Sequence, residues 1–317
     1  MTPYFKSKFG TLYNGDVLET LMQLPDKSID CCITSPPYWG LRNYFTPGQL
    51  GMESDFKEYI EKLLIIFTEV YRVLKDDGSC FVNIGDTYNK AGYMGGDPRN
   101  KNNCVETINR EKQKGLKLKS LCNIPARFAI SMTDMGWIQR NEIIWYKPNA
   151  LCSPVKDRFT VDFEKIFFFT KKRKYYFEQQ FEPLKQSSIR KANNKYLTNK
   201  YKKGVSLSSD NARKYFDKIK SGLITVRNKR TVWFLATKGF PGNHFAVFPP
   251  ELPKNCMEAG CPENGTVIDI FMGSGTTALV AQQLNRKWIG IENNPEYCGI
   301  ITERVKEDTK QISLWEE

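Results

Sequence analysis

Thr266-Val267-Ile268-Asp269-Ile270-Phe271-Met272-Gly273-Ser274-Gly275-Thr276-Thr277 is the stretch that decides the fold. An apolar run ends on an acid, two glycines follow within three residues, and a helix-favouring segment extends to Leu284. Trp288-Ile289-Gly290-Ile291-Glu292 then reads as a second buried strand,. Strand, glycine turn, helix and strand form a β-α-β unit of the nucleotide-binding kind. Glycine in such a turn permits positive φ and lets a ligand approach the backbone. Glu292 lies 19 residues beyond Gly273, close to where β-α-β sites place an acid that accepts ribose hydroxyls,. The third glycine of a dinucleotide fingerprint is missing, and no Gly-Lys-Ser/Thr follows to hold a triphosphate,. The site fits an adenosine ligand with a ribose and no phosphate, and S-adenosyl-L-methionine is such a ligand. Gly-x-Gly alone would be an ordinary strand–turn–helix; the strand context and Glu292 favour a cofactor site.

Working outward, Ile29 to Thr34 reads as another buried strand, halted by Ser35-Pro36-Pro37-Tyr38 because neither proline can donate to a sheet,. The prolines stiffen the backbone just past the strand end. That stiffness can aim the Ser35 hydroxyl and the Pro36 carbonyl at one point, with the Tyr38 ring beside it. Two oxygen acceptors and an aromatic face suit a planar ring bearing an exocyclic amine. A proline-rich turn with a packing tyrosine is the plain alternative, and four residues in isolation favour it.

Apolar spacing from Asp55 to Leu74 predicts a helix closed by Asp76-Asp77-Gly78, and Ser79 to Ile84 a strand,. Thr87 to Lys119 reads as a long mobile loop,. A helix over Ile124–Met135 and strands over Asn141–Tyr146 and Lys165–Phe169 complete the expected α/β pattern.

The 317 residues carry a formal charge of +12, from 47 basic and 35 acidic side chains. Lys171 to Arg230 holds 18 Lys/Arg against 4 Asp/Glu, so this segment contains the whole excess. A polyanion, most commonly nucleic acid, is the natural partner of such a concentration; a solvated lobe is the bland reading. Nine scattered cysteines without a Cys-x-x-Cys pair suit a reducing compartment,. The single histidine, His244, excludes His-rich metal sites, and no Gly-x-Ser-x-Gly elbow exists,. No metal ligand set is expected, Cys256 and Cys261 lacking nearby partners. No apolar run approaches the roughly 18 residues of a membrane span. An intracellular, cytoplasmic protein that meets no membrane is expected.

Taken together, Thr34-Ser35-Pro36-Pro37-Tyr38-Trp39 and Asp269 to Thr277 resemble the DNA amino-methyltransferases of the β arrangement, in which the catalytic motif precedes the target-recognition region and the cofactor loop comes last. Asn14-Gly15-Asp16, Asn83-Ile84-Gly85-Asp86, Asn141 to Pro148, His244 to Pro249 and Gly290 to Pro295 extend the likeness over most of residues 11–183 and 230–305. The resemblance implies a Rossmann-like methyltransferase fold, α/β, with a mixed central sheet flanked by helices and a circularly permuted motif order. It implies a catalytic part over 1–184, a basic target-recognition lobe over 185–229 overhanging the catalytic face, and a cofactor-binding part over 230–317.

It further implies that Asp269, Phe271, Gly273, Gly275, Thr276 and Thr277 line the S-adenosyl-L-methionine site, with Glu292 on the ribose and Asp16 near the adenine. Ser35, Pro36, Pro37 and Tyr38 would hold a base rotated out of double-stranded DNA. Serine at the first catalytic position tilts the expectation to cytosine N4; adenine N6 is the alternative within the class. Lys171, Lys172, Arg173 and Lys174 are expected to contact phosphates. A cognate restriction endonuclease is a further expected partner, with an orphan modification system as the alternative; the oligomeric state is not specified. Carbon-5 chemistry would need a nucleophilic cysteine, normally in a Pro-Cys pair, which the chain lacks. A catalytically dead DNA-binding module is the rival from another class. Glutamine-amide methylation of protein is a further rival, but there the glycine loop lies upstream of the clamp, whereas here it lies downstream.

Overall fold

Ile29–Thr34 is a central strand buried on both sides: Cys32 packs in one core cluster and Cys31 and Ile33 in the other, while Ile29, before a register shift between 29 and 31, joins Cys32. Successive side chains of a strand point to opposite faces, so a strand buried on both sides belongs in the middle of a three-layer sandwich. The computed structural model describes residues 2–41, 46, 48–89, 92–94, 108–110, 115–193, 207–237 and 248–316.

In chain order the described elements are β1 (Phe5–Lys6), β2 (Gly10–Asn14), α1 (Val17–Met22), β3 (Ile29–Thr34), α2 (Phe56–Val73), β4 (Leu74–Ile84), β5 (Gly92–Met94), β6 (Ile108–Arg110), α3 (Ile124–Asp134), β7 (Ile138–Tyr146) and β8 (Phe163–Thr170). There follow β9 (Phe181–Pro183), α4 (Gln186–Asn193), α5 (Leu207–Lys220), β10 (Val226–Asn228), β11 (Val232–Phe234), α6 (Glu251–Gly260), β12 (Thr266–Asp269), α7 (Thr276–Gln283), β13 (Lys287–Glu292) and α8 (Pro295–Glu316).

Nine strands form one sheet in the order β1-β2-β13-β12-β3-β4-β8-β7-β11. Strands β2, β13, β12, β3 and β4 are parallel, β8 is antiparallel to β4 and to β7, and β1 is antiparallel to β2. The mixed α/β sheet expected from the sequence is therefore present. One core layer takes Leu21 of α1, Phe67 of α2 and Phe128 of α3; the other takes Met257 of α6, Ala278 and Ala281 of α7 and Ile301 of α8. Helix α2 begins where Asp55 accepts the Lys57 N–H at 2.8 Å, and its buried stripe runs Phe56, Tyr59, Ile60, Leu63, Phe67, Val70,. Asp76-Asp77-Gly78 does not end this helix: β4 already begins at Leu74, which pairs with Ile29.

Strands β3 and β12 are neighbours, but the chain leaves them in opposite directions, from β3 through α2 to β4 and from β12 through α7 to β13. This divergence is a topological switch point, where a crevice opens beyond the carboxyl ends of the strands. It is what brings residues 35 and 273 to the same edge of the sheet.

Residues 179–230 form a compact unit distinct from the one made of 1–178 and 231–317. The smaller unit pairs β9 with β10 and packs Leu184, Ala192 and Ile219 with Ile189, Phe216 and Ile224. Within 87–119, Tyr88 bridges Leu121 and β5 pairs with β6; much of that expected loop, and His244, lie outside the described residues. Among the described residues, no helix is long and apolar enough to cross a membrane.

Candidate active site at the switch point

Strands β3 and β12 are stitched together by one buried carboxylate. Asp269, at the end of β12, accepts the Thr34 hydroxyl on Oδ1 at 2.8 Å and the Thr277 hydroxyl on Oδ2 at 2.6 Å. Its Oδ1 also accepts the Phe271 N–H at 3.1 Å. Thr34 immediately precedes Ser35, and Thr277 opens α7, so both motifs are referenced to the same two oxygens. Three protein donors occupy this carboxylate, and Thr277 is buried with it. Both therefore brace the glycine bend. Burial pushes the Asp269 carboxyl up to about 6, against the lowering effect of its three donors,.

The bend itself is backbone. Gly273 and Gly275 have φ of 56° and 83°. A Cβ on Gly275 would stand 3.1 Å from the Ile301 side chain, so both the left-handed conformation and the close packing require glycine,. Glu292, ending β13, accepts the Gly273 N–H at 2.8 Å on one carboxylate oxygen and the Asn294 N–H at 2.9 Å on the other. Burial is the main cause that raises its carboxyl to about 7. Asn14 donates to the Glu292 and Asn293 carbonyls at 2.9 and 3.1 Å and ties the end of β2 to this turn. Asp16 is exposed beside them and caps α1 by accepting the Leu18 and Glu19 N–H groups at 2.8 and 3.1 Å. Phe271 is half-buried; Thr276 is buried, its hydroxyl 3.5 Å from that of Ser274. The half-buried Glu292 carboxylate beside a side-chain-free bend suits a ligand that brings hydroxyl donors.

Across the switch point, the Ser35–Tyr38 turn is held by side chains. The Tyr59 hydroxyl donates to the Pro37 carbonyl at 2.8 Å, and the buried Trp39 ring donates its indole N–H to the Glu53 carbonyl at 2.8 Å. The Ser35 hydroxyl donates to Asn83 Oδ1 at 3.4 Å, while the Asn83 amide donates to the Lys165 carbonyl at 3.2 Å, which fixes the amide oxygen toward Ser35. Asn83 thereby offers the Ser35 hydroxyl hydrogen an acceptor, which leaves the oxygen lone pairs available. No donor from the described residues bonds the Pro36 carbonyl oxygen. The Tyr38 hydroxyl lies 3.1 Å from Asn83 Oδ1 and 2.5 Å from Glu164 Oε2. Asn83, Lys147 and Glu164 received no role from the sequence. Asn83 and Lys147 end strands within quoted motifs, but Glu164 reaches the turn only through the antiparallel register of β8 on β4 and β7.

The lysine cluster after β8 lies elsewhere. Strand β8 runs against β4, so residues 171–174 emerge at the edge where β4 begins, opposite the Ser35 turn. Lys171 is buried, donates to the Leu74 carbonyl at 2.7 Å and sits 4.6 Å over the Tyr71 ring. Lys172 pairs with Asp76 at 2.8 Å. Lys171 is thereby committed inside the protein, whereas Lys172, Arg173 and Lys174 are exposed at that same far edge. Asp86 accepts the Thr87 and Ile124 N–H groups at 2.8 and 3.1 Å, the second at the start of α3.

Comparison with known proteins is consistent with this geometry. The family model for DNA methylase of the N6/N4 class matches residues 29–303. The chain is 39% identical to the Type II methyltransferase M.Cfr9I of Citrobacter freundii, over 96% of this chain and 90% of that protein. It is 37% identical to M.SmaI of Serratia marcescens, over 92% and 89% respectively. Among solved structures it resembles the PvuII DNA methyltransferase (cytosine-N4-specific), with a TM-score of 0.63 at 22% identity, covering 98% of this chain and 94% of that one. A putative DNA modification methylase of Thermus thermophilus, solved with S-adenosyl-L-methionine, superposes with a TM-score of 0.56 at 21% identity, over 94% and 93%. A carboxylate-braced glycine bend facing a Ser-Pro-Pro-Tyr turn across a switch point, together with these matches, makes the chain a member of the DNA methylase family of the N6/N4 amino-methyltransferase class.

Proposed function

We propose that this chain methylates the N4 amine of cytosine in specific duplex DNA, using S-adenosyl-L-methionine, as the modification arm of a restriction–modification system. The observation that carries the reading is the Thr34–Asp269–Thr277 bridge, which sets the Ser35 turn and the glycine bend on one crevice. When bound, S-adenosyl-L-methionine supplies an electrophilic methyl group on its sulfonium. Glu292 would accept its ribose hydroxyls, the 273–275 backbone and Phe271 would flank it, and Asp16 stands near the adenine end.

An exocyclic amine is paired and shielded inside a duplex, so the target base must be extruded. The Tyr38 ring forms one wall for the extruded base. The available lone pairs of Ser35 and the carbonyl of Pro36 accept the two amine hydrogens. This draws the nitrogen toward tetrahedral geometry and frees its lone pair for in-line attack. The surplus amine proton is lost to water. Positioning and preorganised acceptors supply the acceleration, with no covalent intermediate. Serine at position 35 and the likeness to the cytosine-N4-specific PvuII enzyme support cytosine over adenine. The 179–230 unit, with exposed Lys185, Arg190, Lys191, Lys214, Lys218 and Lys220, supplies sequence recognition and phosphate contact in this reading,.

Mass spectrometry of nucleosides from DNA treated with the enzyme tests the base: N4-methylcytosine is expected, and N6-methyladenine in its place overturns the reading. Tyr38→Ala should abolish methyl transfer while calorimetric binding of S-adenosyl-L-methionine survives.

A further inference from the structure

We infer that Glu164 and Lys147 are positioning residues that lock the Tyr38 ring as the rigid wall of the base pocket. The inference rests on the proposed role of Tyr38. Glu164 of β8 accepts the Tyr38 hydroxyl on Oε2 at 2.5 Å, and its other oxygen forms an ion pair with Lys147. The two side chains of that pair are only 18% and 19% exposed. Lys147 is held in turn 4.4 Å over the Trp145 ring, whose indole N–H donates to the Leu235 carbonyl at 2.8 Å.

The ring is also confined on one face. A Cβ placed on Gly85 would fall 2.5 Å from Tyr38 Cε2, so the ring packs directly on bare backbone. With one face against Gly85 and its hydroxyl tied to Glu164, the ring keeps one orientation and leaves its opposite face free of that contact. Its phenol points into the sheet rather than toward a base, so the aromatic face is what it offers. A wall fixed before the base arrives spares the entropy of ordering it in the transition state. Burial, then the Glu164 charge, push the phenol well above its ordinary value, which keeps it a donor at working pH.

The test is a double-substitution cycle on single-turnover methylation of unmodified bacterial genomic DNA, using Tyr38→Phe, Glu164→Ala and the double variant. A hydrogen bond to a charged acceptor corresponds to about tenfold or more in rate for each single variant. The double variant should be no slower than the worse single one, because both remove the same bond. Binding of S-adenosyl-L-methionine should stay within about twofold in all three. A Glu164→Ala rate within twofold of the parent, or effects that multiply in the double variant, overturns the inference. If Glu164→Ala does not fold, Glu164→Gln, which keeps an acceptor without the charge, runs the same cycle with the same criterion, its own loss being about threefold. Full activity in Tyr38→Ala would instead overturn the proposed function, so the two failures are distinguishable.

Discussion

The two halves of the site are built by different means. The bend at 273–275 is made of backbone, two left-handed glycines and two carboxylates, nearly all from one stretch of 27 residues between Thr266 and Glu292. The Ser35–Tyr38 turn is made of side-chain bonds to Tyr59, Asn83 and Glu164, which lie up to 126 residues away along the chain. A surface that must approach a cofactor closely does best without side chains. A pocket that must hold a planar base needs side chains, and these must be braced by others because a free rotamer is imprecise.

The joint between the halves is the place where this contrast breaks most readily. Asp269→Ala leaves the Thr34 and Thr277 hydroxyls and the Phe271 N–H without their acceptor. We expect a loss of about 2–4 kcal/mol in urea unfolding, and failure of both cofactor binding and transfer. Retained stability with loss of transfer alone would show that the halves are held together by packing.

On the cofactor side, Glu292→Gln should weaken S-adenosyl-L-methionine binding about ten- to a hundredfold at pH 8, from loss of charge-assisted bonds. The same carboxyl provides a pH signature. With its folded value raised to about 7, Glu292 is largely protonated at pH 6, so parental affinity should rise from pH 6 to 8 and then level off. The Gln variant should be flat over that range, as titration calorimetry can check. Linkage gives the opposite sign for folding of the cofactor-free protein. Glu292 and Asp269 hold protons in the folded state up to about 7 and 6, above their unfolded values near 4, so stability should fall as pH rises through that window,.

Gly275→Ala probes the backbone alone. Forcing an alanine to φ of 83° against Ile301 should cost about 1–2 kcal/mol and weaken cofactor binding in proportion, measured by thermal melting with and without ligand,. The smallest effect is expected at the far edge of the sheet. Arg173→Ala with Lys174→Ala should leave the DNA dissociation constant within about twofold and the slope of log affinity against log salt unchanged, whereas removing phosphate contacts would lower that slope by about one per contact. A lowered slope would place DNA across that edge as well.

These contrasts track what could be read without coordinates. Residues 266–292 were legible because every cue is local: apolar run, acid, glycines, helix, strand, acid. The central strand at 29–34 and helix α2 followed from periodicity in the same way, though β4 starts earlier than its turn-like Asp76-Asp77-Gly78 suggests, because pairing with β3 overrides local propensity,. The basic residues at 171–174 show that charge in a sequence carries no direction. The antiparallel run of β8 sends them to the opposite edge, and Lys171 is spent on a carbonyl and an aromatic face.

By itself, then, the amino-acid sequence determined the strand–bend–helix, the proline-stiffened turn, the α/β class and the concentration of positive charge, since each depends on neighbours within a few residues. The tertiary structure alone decided that Asp269 spans both motifs, that Asn83 offers the serine hydroxyl an acceptor, and that Glu164 and Lys147 grip the tyrosine. Those facts depend on strand order and register, and register is set by how whole faces pack rather than by any one segment.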